Sequence, residues 1–272
     1  MTQTSPRNKN FIPHVPASPP QVCFSIESLS FSADVPAIQV SDLNFSYPNH
    51  PPVLQDISFS LYSGESIALL GRTGTGKSTL MENLVGLKWP NSGEIRILDH
   101  SLEPNTLFQL RQQVGFAFQD PNDQLFMPTI LEDVMFGPCN YGVPTELATE
   151  QAHQLLREFG LTEVAHHSVY ELSGGQKRLA ALATILALNP AILILDEPTN
   201  GLDPWWRRHL AEILISLPVQ LLLIASHDLN WIQQVTQRAL VLQQGKIQVD
   251  RSTESLLQDR ETLEACGLPL DY

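Results

Sequence analysis

Gly71-Arg72-Thr73-Gly74-Thr75-Gly76-Lys77-Ser78 follows the short apolar run Ile67-Ala68-Leu69-Leu70 and leads into a helix-forming segment, residues 78–87. In this order a buried strand feeds a loop whose glycines let backbone N–H groups close around phosphate oxygens, at the positive end of the next helix. Lys77 and Ser78 then stand where the outer phosphates and a magnesium ion can be reached. Two later segments extend the reading. Leu172-Ser173-Gly174-Gly175-Gln176 opens another helix, and the apolar run 192–195 ends on the adjacent carboxylates Asp196-Glu197.

The runs 192–195 and 221–225 are continuously apolar, as expected of parallel strands covered on both faces, and the second ends at Ser226-His227. In open parallel sheets ligands bind beyond the carboxyl ends of the strands, so Gly71, Asp196-Glu197 and His227 are expected to converge. Residues 114–118 form another strand candidate, running into Gln119 and the turn-rich stretch 120–123. The alternating segment 53–61 is expected to pair antiparallel with the phrase 40–46, which continues into Tyr47. Residues 26–32 echo that phrase, either by chance or as an added edge strand, and the domain start is placed at the second copy.

Thr129 with Glu132, and Ser173 with Gln176, have capping-box spacing, and residues 146–159 carry a helical pattern. Leu179, Leu182, Ala183 and Leu186 share one helix face before Asn189-Pro190 stops it. Ser173 and its neighbours therefore offer free N–H groups at a helix start. Of Trp205 and Trp206, which follow Pro204 at another helix start, one is expected to pack inward and the other is a candidate for an interface. Residues 246–250 read as a small strand and 252–268 as one or two short helices.

The bulk numbers narrow the classes. A chain of 272 residues with 43% hydrophobic content can bury the core of one sizeable α/β domain. A formal charge of −13 repels phosphate backbones at long range, so no nucleic-acid partner is expected. The apolar runs are strand-sized, well under the roughly 20 residues that span a bilayer. Cys23, Cys139 and Cys266 are odd in number and far apart, which indicates neither a disulfide framework nor a zinc site and fits a reducing compartment. The histidines outside 227, including His166-His167, lack metal-ligand spacing. No secretory signal is expected, and Pro6, Pro13, Pro16, Pro19, Pro20 and Pro36 argue for a leader that is extended or partly disordered.

The chemistry is that of phosphoryl transfer, which asks a protein mainly to position groups and neutralise charge. A lysine, a hydroxyl, two carboxylates and a histidine around one phosphate meet that need. Adjacent Asp196 and Glu197 at the end of a dry strand are costly without a metal to compensate them.

Over about residues 38–250 this ordered set resembles the nucleotide-binding subunit of ATP-binding-cassette (ABC) transporters. The resemblance implies an α/β P-loop NTPase domain with a mostly parallel core sheet, an antiparallel β subdomain and an inserted helical subdomain at about 125–190. The expected division is a leader at 1–36, an ATPase domain at 37–250 and a short helical tail at 251–272. By resemblance Tyr47 stacks on adenine, the loop from Gly71 through Thr79 holds the phosphates of ATP, and Ser78, Gln119 and Asp196 attend Mg2+. Glu197 polarises the attacking water and His227 contacts the γ-phosphate. Leu172, Ser173, Gly174, Gly175 and Gln176 reach nucleotide held by the opposite subunit, and Asp203, in Gly201-Leu202-Asp203-Pro204, communicates across the dimer. The implied partners are a second ATPase, identical or paired, a transmembrane coupling protein and a substrate-binding membrane subunit, at the cytoplasmic face of the membrane.

Val114-Gly115-Phe116-Ala117-Phe118-Gln119-Asp120-Pro121-Asn122-Asp123-Gln124-Leu125-Phe126 is more similar to ATPases of energy-coupling-factor importers than to generic cassettes, and Pro128-Thr129, Glu132-Asp133-Val134 and Phe136-Gly137 continue the likeness. Residues 172–178, Arg207-Arg208, Ser216-Leu217-Pro218 and Leu263-Glu264-Ala265-Cys266-Gly267-Leu268 resemble cobalt and nickel importer ATPases most, with vitamin import the alternative. The leader is not part of the resemblance, and little chain follows the cassette to form the larger C-terminal dimerisation region some relatives carry. Rival classes fit less well. A translation or mobile-element ATPase would carry two cassettes and basic surface, a chromosome ATPase a long coiled coil before Leu172, and a P-loop kinase no 172–176 motif. Leu125, Phe126 and Met127, after the polar turn, are expected either to line a groove for a partner helix or to cap the helical subdomain as core.

Overall fold

The computed structural model describes residues 35–268. The leader with its phrase 26–32, Cys23 and residues 269–272 lie outside the described residues. In chain order the elements are β1 (Pro36–Ser46), β2 (Pro52–Tyr62), β3 (Ser66–Leu70), α1 (Lys77–Leu84), β4 (Ser92–Ile97), β5 (His100–Ser101), α2 (Leu107–Gln113), β6 (Val114–Ala117), α3 (Ile130–Asn140) and α4 (Thr145–Glu158). There follow α5 (Gly174–Leu186), β7 (Ile192–Asp196), α6 (Pro204–Ser216), β8 (Leu221–Ala225), α7 (Leu229–Val235), β9 (Arg238–Gln243), β10 (Lys246–Ser252), α8 (Thr253–Gln258) and α9 (Arg260–Ala265).

Two sheets result. An antiparallel sheet runs β2-β1-β4-β5, and a six-stranded sheet runs β10-β9-β3-β8-β7-β6, in which only the β10–β9 pair is antiparallel. The apolar runs of the second sheet are continuous because their side chains alternate between two cores. Ile67 and Leu69 of β3, Ile192 and Ile194 of β7, and Leu221 and Leu223 of β8 pack toward the antiparallel sheet. Ala68 and Leu70, Leu193 and Leu195, and Leu222 and Ile224 pack toward helices α3–α7. Each strand is thus buried on both faces, as its composition demands.

Local signals set the helix starts. Thr129 and Ser173 both form complete capping boxes, with Glu132 and Gln176 respectively. The helix after the phosphate loop stops short of the expected 87, because Gly86 takes a left-handed φ of 66° and Val85 ends α1. β1 begins earlier than the phrase at 40, pairing Pro36 with Tyr62, and it bulges around Asp42, whose φ is 50°. The tail forms two helices. Leu256, Leu257, Leu263, Cys266 and Leu268 bury into the helical-side core, Gln243 Nε2 donates to Ala265 O at 2.9 Å, and Gly267 lies against the aliphatic part of Arg72.

The approach of α5 to β6 depends on Gly115. A methyl group there would overlap Cγ2 of Ile185 and press on Pro190 at 3.0 Å and Leu193 at 3.2 Å. Gly115→Ala is expected to destabilise the fold by about 1–3 kcal/mol. That lowers the melting temperature by roughly 2–4 °C per kcal/mol in a chain of this size. An unchanged thermal transition would show that Ile185 yields freely.

Candidate functional site

Strand order brings the site together. β3, β8, β7 and β6 are neighbours, with Leu69 and Asp196 both level with Ala225, and Ala117 level with Leu195. Their carboxyl ends therefore deliver the phosphate loop, His227, Asp196-Glu197 and Gln119 to one edge. There a cleft of about 340 Å³ is lined by Tyr47, Val53, Thr73, Gly74, Gly76, Lys77, Ser78, Thr79, Gln119, Asp196 and Glu197.

The loop has the backbone its glycines permit. Gly71, Gly74 and Gly76 have φ of 150°, 82° and 103°, and Gly71 packs so closely on the Leu242 carbonyl that a side chain would collide with it. Lys77 Nζ donates to the carbonyls of Gly71 at 2.7 Å and Arg72 at 3.2 Å. Thr75 closes the turn by donating its hydroxyl to Arg72 O at 2.8 Å. Arg72 serves the loop through its main chain while its side chain leans outward on Gly267. Tyr47 is half-buried at the cleft rim, donating or accepting at 3.1 Å with the Thr79 hydroxyl and set edge-on to Phe45 at 5.1 Å. A second, mainly apolar cavity of about 390 Å³ opens beside it between Pro48, His50, Pro51 and Val53.

Electrostatically the cleft holds opposed charges in a dry setting. Burial is the main cause that pushes the Asp196 carboxyl above its ordinary pKa, against the Ser78 hydroxyl, which favours the ion. Burial likewise pulls Lys77 below its ordinary value, opposed by Glu197 and Asp196. Both groups are drawn toward neutrality by the same lack of water. Glu197 is buried, and His227 Nδ1 lies 2.9 Å from its Oε2 but off the line of a hydrogen bond, so Oε2 keeps no hydrogen-bond partner. An orphaned buried carboxylate oxygen beside an acidic neighbour is a donor set suited to a divalent cation and a water. Phosphates and Mg2+ therefore fit these residues.

Glu197 is also bent. Its φ is 50°, a conformation that costs a non-glycine residue about 1–3 kcal/mol and persists only where neighbours enforce it. Its N–H donates to Ala225 O at 2.9 Å, and its carbonyl accepts from Asn200 N at 3.2 Å and from Arg178 Nη1 at 2.9 Å. Arg178 was not singled out by the sequence; nothing local marks a helix arginine as buried. Arg207, read from the sequence only as part of the importer resemblance, is a second arginine whose partners no local signal marks. It donates from Nε to Leu202 O at 3.1 Å and from Nη1 to Asp228 Oδ2 at 3.0 Å, joining the turn at Asp203 to the residue after His227.

Other expected site residues lie outside the cleft. Ser173 and Gly174 are exposed at the start of α5, Leu172 is buried, and a Cβ placed on Gly175 would lie 3.6 Å from Leu202 and 3.8 Å from Gly201 O. Asp203 caps α6 by accepting from Trp206 N at 2.9 Å. The 172–176 motif and the 201–204 turn thus form one surface, separate from their own subunit's phosphate loop. Trp206 packs inward against Gly160, and Trp205, 40% exposed, stacks on His209 at 5.0 Å. After Gln119, Leu125 is core, whereas Phe126 is 63% exposed and set edge-on to Phe136 at 4.8 Å.

The sequence profile of the ABC transporter family matches residues 54–200, more than half of the chain. A putative ABC transporter ATP-binding protein of Geobacter sulfurreducens is 40% identical over 85% of this chain and 92% of its own. The energy-coupling factor transporter ATP-binding protein EcfA of Methanothermobacter thermautotrophicus is 38% identical over 86% of this chain and 76% of its own. Among solved structures, CbiO1 of Clostridium perfringens, part of the ABC transporter complex cbiONQ, superposes with a TM-score of 0.72 at 30% identity over 86% of this chain and 96% of its own. The dimeric bacterial cassette MJ0796 does so with a TM-score of 0.73 at 26% identity, covering 79% of this chain and 98% of that one. A phosphate cleft built as these residues require, a family profile over most of the ATP-handling elements, and relatives alike over three quarters or more of their length agree: this chain belongs to the ATP-binding, ATP-hydrolysing subunits of ABC transporters.

Proposed function

We propose that the chain energises an energy-coupling-factor importer from the cytoplasmic face of the membrane, hydrolysing ATP in two sites shared between paired ATPase subunits, with cobalt or nickel ions as the cargo. One observation carries the shared-site reading. The cleft gathers Tyr47, Lys77, Ser78, Gln119 and Asp196-Glu197, while the exposed capped helix start at Ser173 takes no part in lining it and is open to a nucleotide held by another subunit. The likeness to EcfA and to CbiO1 supports the importer class. The cargo reading rests on the motif and tail resemblance, with the CbiO1 likeness beside it.

In this reading Tyr47 stacks on the base, and the 71–79 loop and Lys77 hold the phosphates. Ser78, Gln119 and Asp196 hold Mg2+, which when bound supplies charge neutralisation to the phosphates. Glu197, bent toward the cleft, accepts a hydrogen bond from the attacking water and orients it in line with the γ-phosphate, while His227 contacts that phosphate from the β8 side. Leu172 to Gln176 close over the opposite nucleotide, their helix N-terminus favouring its negative charge. Asp203 sits at the matching surface. Phe126 and Phe136 present an exposed aromatic pair for an apolar anchor of a membrane-embedded coupling protein, whose companion subunit captures the cargo.

Glu197→Gln keeps shape but loses the carboxylate's pull on water, so ATP binding should persist while phosphate release drops by about 10²–10⁴-fold. Turnover within about tenfold of the natural chain would remove Glu197 from that role. Lys77→Ala should instead weaken ATP binding directly, read by titration.

Ser173→Arg should allow ATP binding yet block dimer closure. A mixed dimer of Ser173→Arg and Lys77→Ala subunits should keep one working composite site and recover part of the activity that each variant alone lacks. Full activity at dilutions where no dimer is detected would rule the shared site out.

Phe126→Ala, at an exposed position, should shift the isolated subunit's stability by no more than about 0.5 kcal/mol. In a complex reconstituted with its membrane partners it should abolish ATP-driven cobalt or nickel uptake. Undiminished uptake would refute the docking role.

A further inference from the structure

Arg178 lies one and a half turns into α5 from Ser173, on the face turned toward the β6 and β7 loops, and is only 9% exposed. Its Nη1 donates to the main-chain carbonyl of Glu197 and its Nη2 to the main-chain carbonyl of Gln119, each at 2.9 Å. The planar guanidinium meets two fixed acceptors with one rigid fork, which a lysine ammonium on a flexible stem does not reproduce. The neighbouring residue repeats the connection at the surface. Lys177 Nζ donates to Asn122 Oδ1 at 3.0 Å, and Asn122 in turn donates to Asp120 Oδ1 from N at 2.9 Å and from Nδ2 at 2.7 Å.

We infer that Arg178 is a positioning residue that clamps the signature helix to both cleft loops of its own subunit, so that nucleotide in one site is reported to the helix start that reads the other. The first half of this inference stands on geometry alone. The second half rests on the shared-site reading proposed above. Glu197 holds its left-handed φ of 50° with main-chain bonds to Ala225 and Asn200, and Arg178 is the side chain that pins its carbonyl. Gln119, whose side chain lines the cleft, is pinned from behind by the same group. Any shift of Gln119 or Glu197 on binding MgATP must either carry α5 with it or strand two carbonyls without their charged donor, which is unfavourable. The helix runs unbroken from its capping box at Ser173 through Arg178, so a displacement of Arg178 is carried to the helix start.

Arg178→Lys tests the clamp in the full chain. ATP affinity, set by the untouched 71–79 loop, should be unchanged, while kcat falls about 100-fold because Glu197 is no longer held at its working position. A merely structural arginine would instead lower thermal stability and ATP affinity together. Wild-type kcat in a folded Arg178→Lys chain overturns the inference.

A second measurement needs neither that variant nor a dimer. Hydrogen exchange is followed in the Glu197→Gln chain, diluted until monomeric, with and without MgATP. Protection should change in the first two turns of α5 together with residues 119–122 and 197–200. Changes confined to those loops, with α5 silent, overturn the clamp. Loss of the dimer reading alone would leave this result standing, so the two can fail separately.

Discussion

Everything at the site depends on four parallel strands that are buried on both faces and end at one level. Because β3, β8, β7 and β6 send alternate side chains into two separate cores, their middles are apolar, with polar residues only at the ends, Ser66 opening β3 and Asp196 closing β7. The site's polar chemistry gathers at or just beyond the strand ends: Gly71, Ser226-His227, Asp196-Glu197 and Gln119. The pairing that puts Asp196 level with Ala225 is the same pairing that lets Glu197 N–H reach the Ala225 carbonyl. The placement of Glu197 is thus a by-product of sheet register.

The dryness that organises the strands also loads the site. Asp196 and Lys77 are each driven toward their neutral forms by burial, and Glu197 Oε2 lacks a hydrogen-bond partner. Such a cleft favours ligands that bring both signs of charge, as a nucleoside triphosphate with its cation does. The bent backbone of Glu197 belongs to the same setting, since strain of this kind survives only where surrounding bonds over-determine it.

Around this edge, two arginines connect elements that are distant in the chain. Arg178 joins α5 to the loops after β6 and β7, and Arg207 joins the 201–204 turn to the loop after β8. Gly175 lies near Leu202 and Gly201, so the 172–176 and 201–204 segments neighbour each other. In the proposed shared-site reading, this arrangement would let the two segments respond together to nucleotide.

What the sequence by itself determined is the chemistry that is local along the chain. The phosphate loop, the two capping boxes and the doubly buried strands follow from contiguous residues, because glycine φ freedom, side-chain capping and apolar runs act over a few positions. Weakly marked elements were illegible for the same reason. β4 is a mostly exposed Ser92–Ile97 segment, and the apolar run of β9 ends in Gln243-Gln244-Gly245 rather than in reactive groups. Only the tertiary structure decided that Tyr47 meets Thr79, that Leu125 is core while Phe126 is exposed, that Trp206 rather than Trp205 packs inward, and that Arg178 spans Glu197 and Gln119. Those pairings join residues from different elements, and a residue's burial or partner across such a gap is set by how strands register and helices pack, which no local pattern encodes.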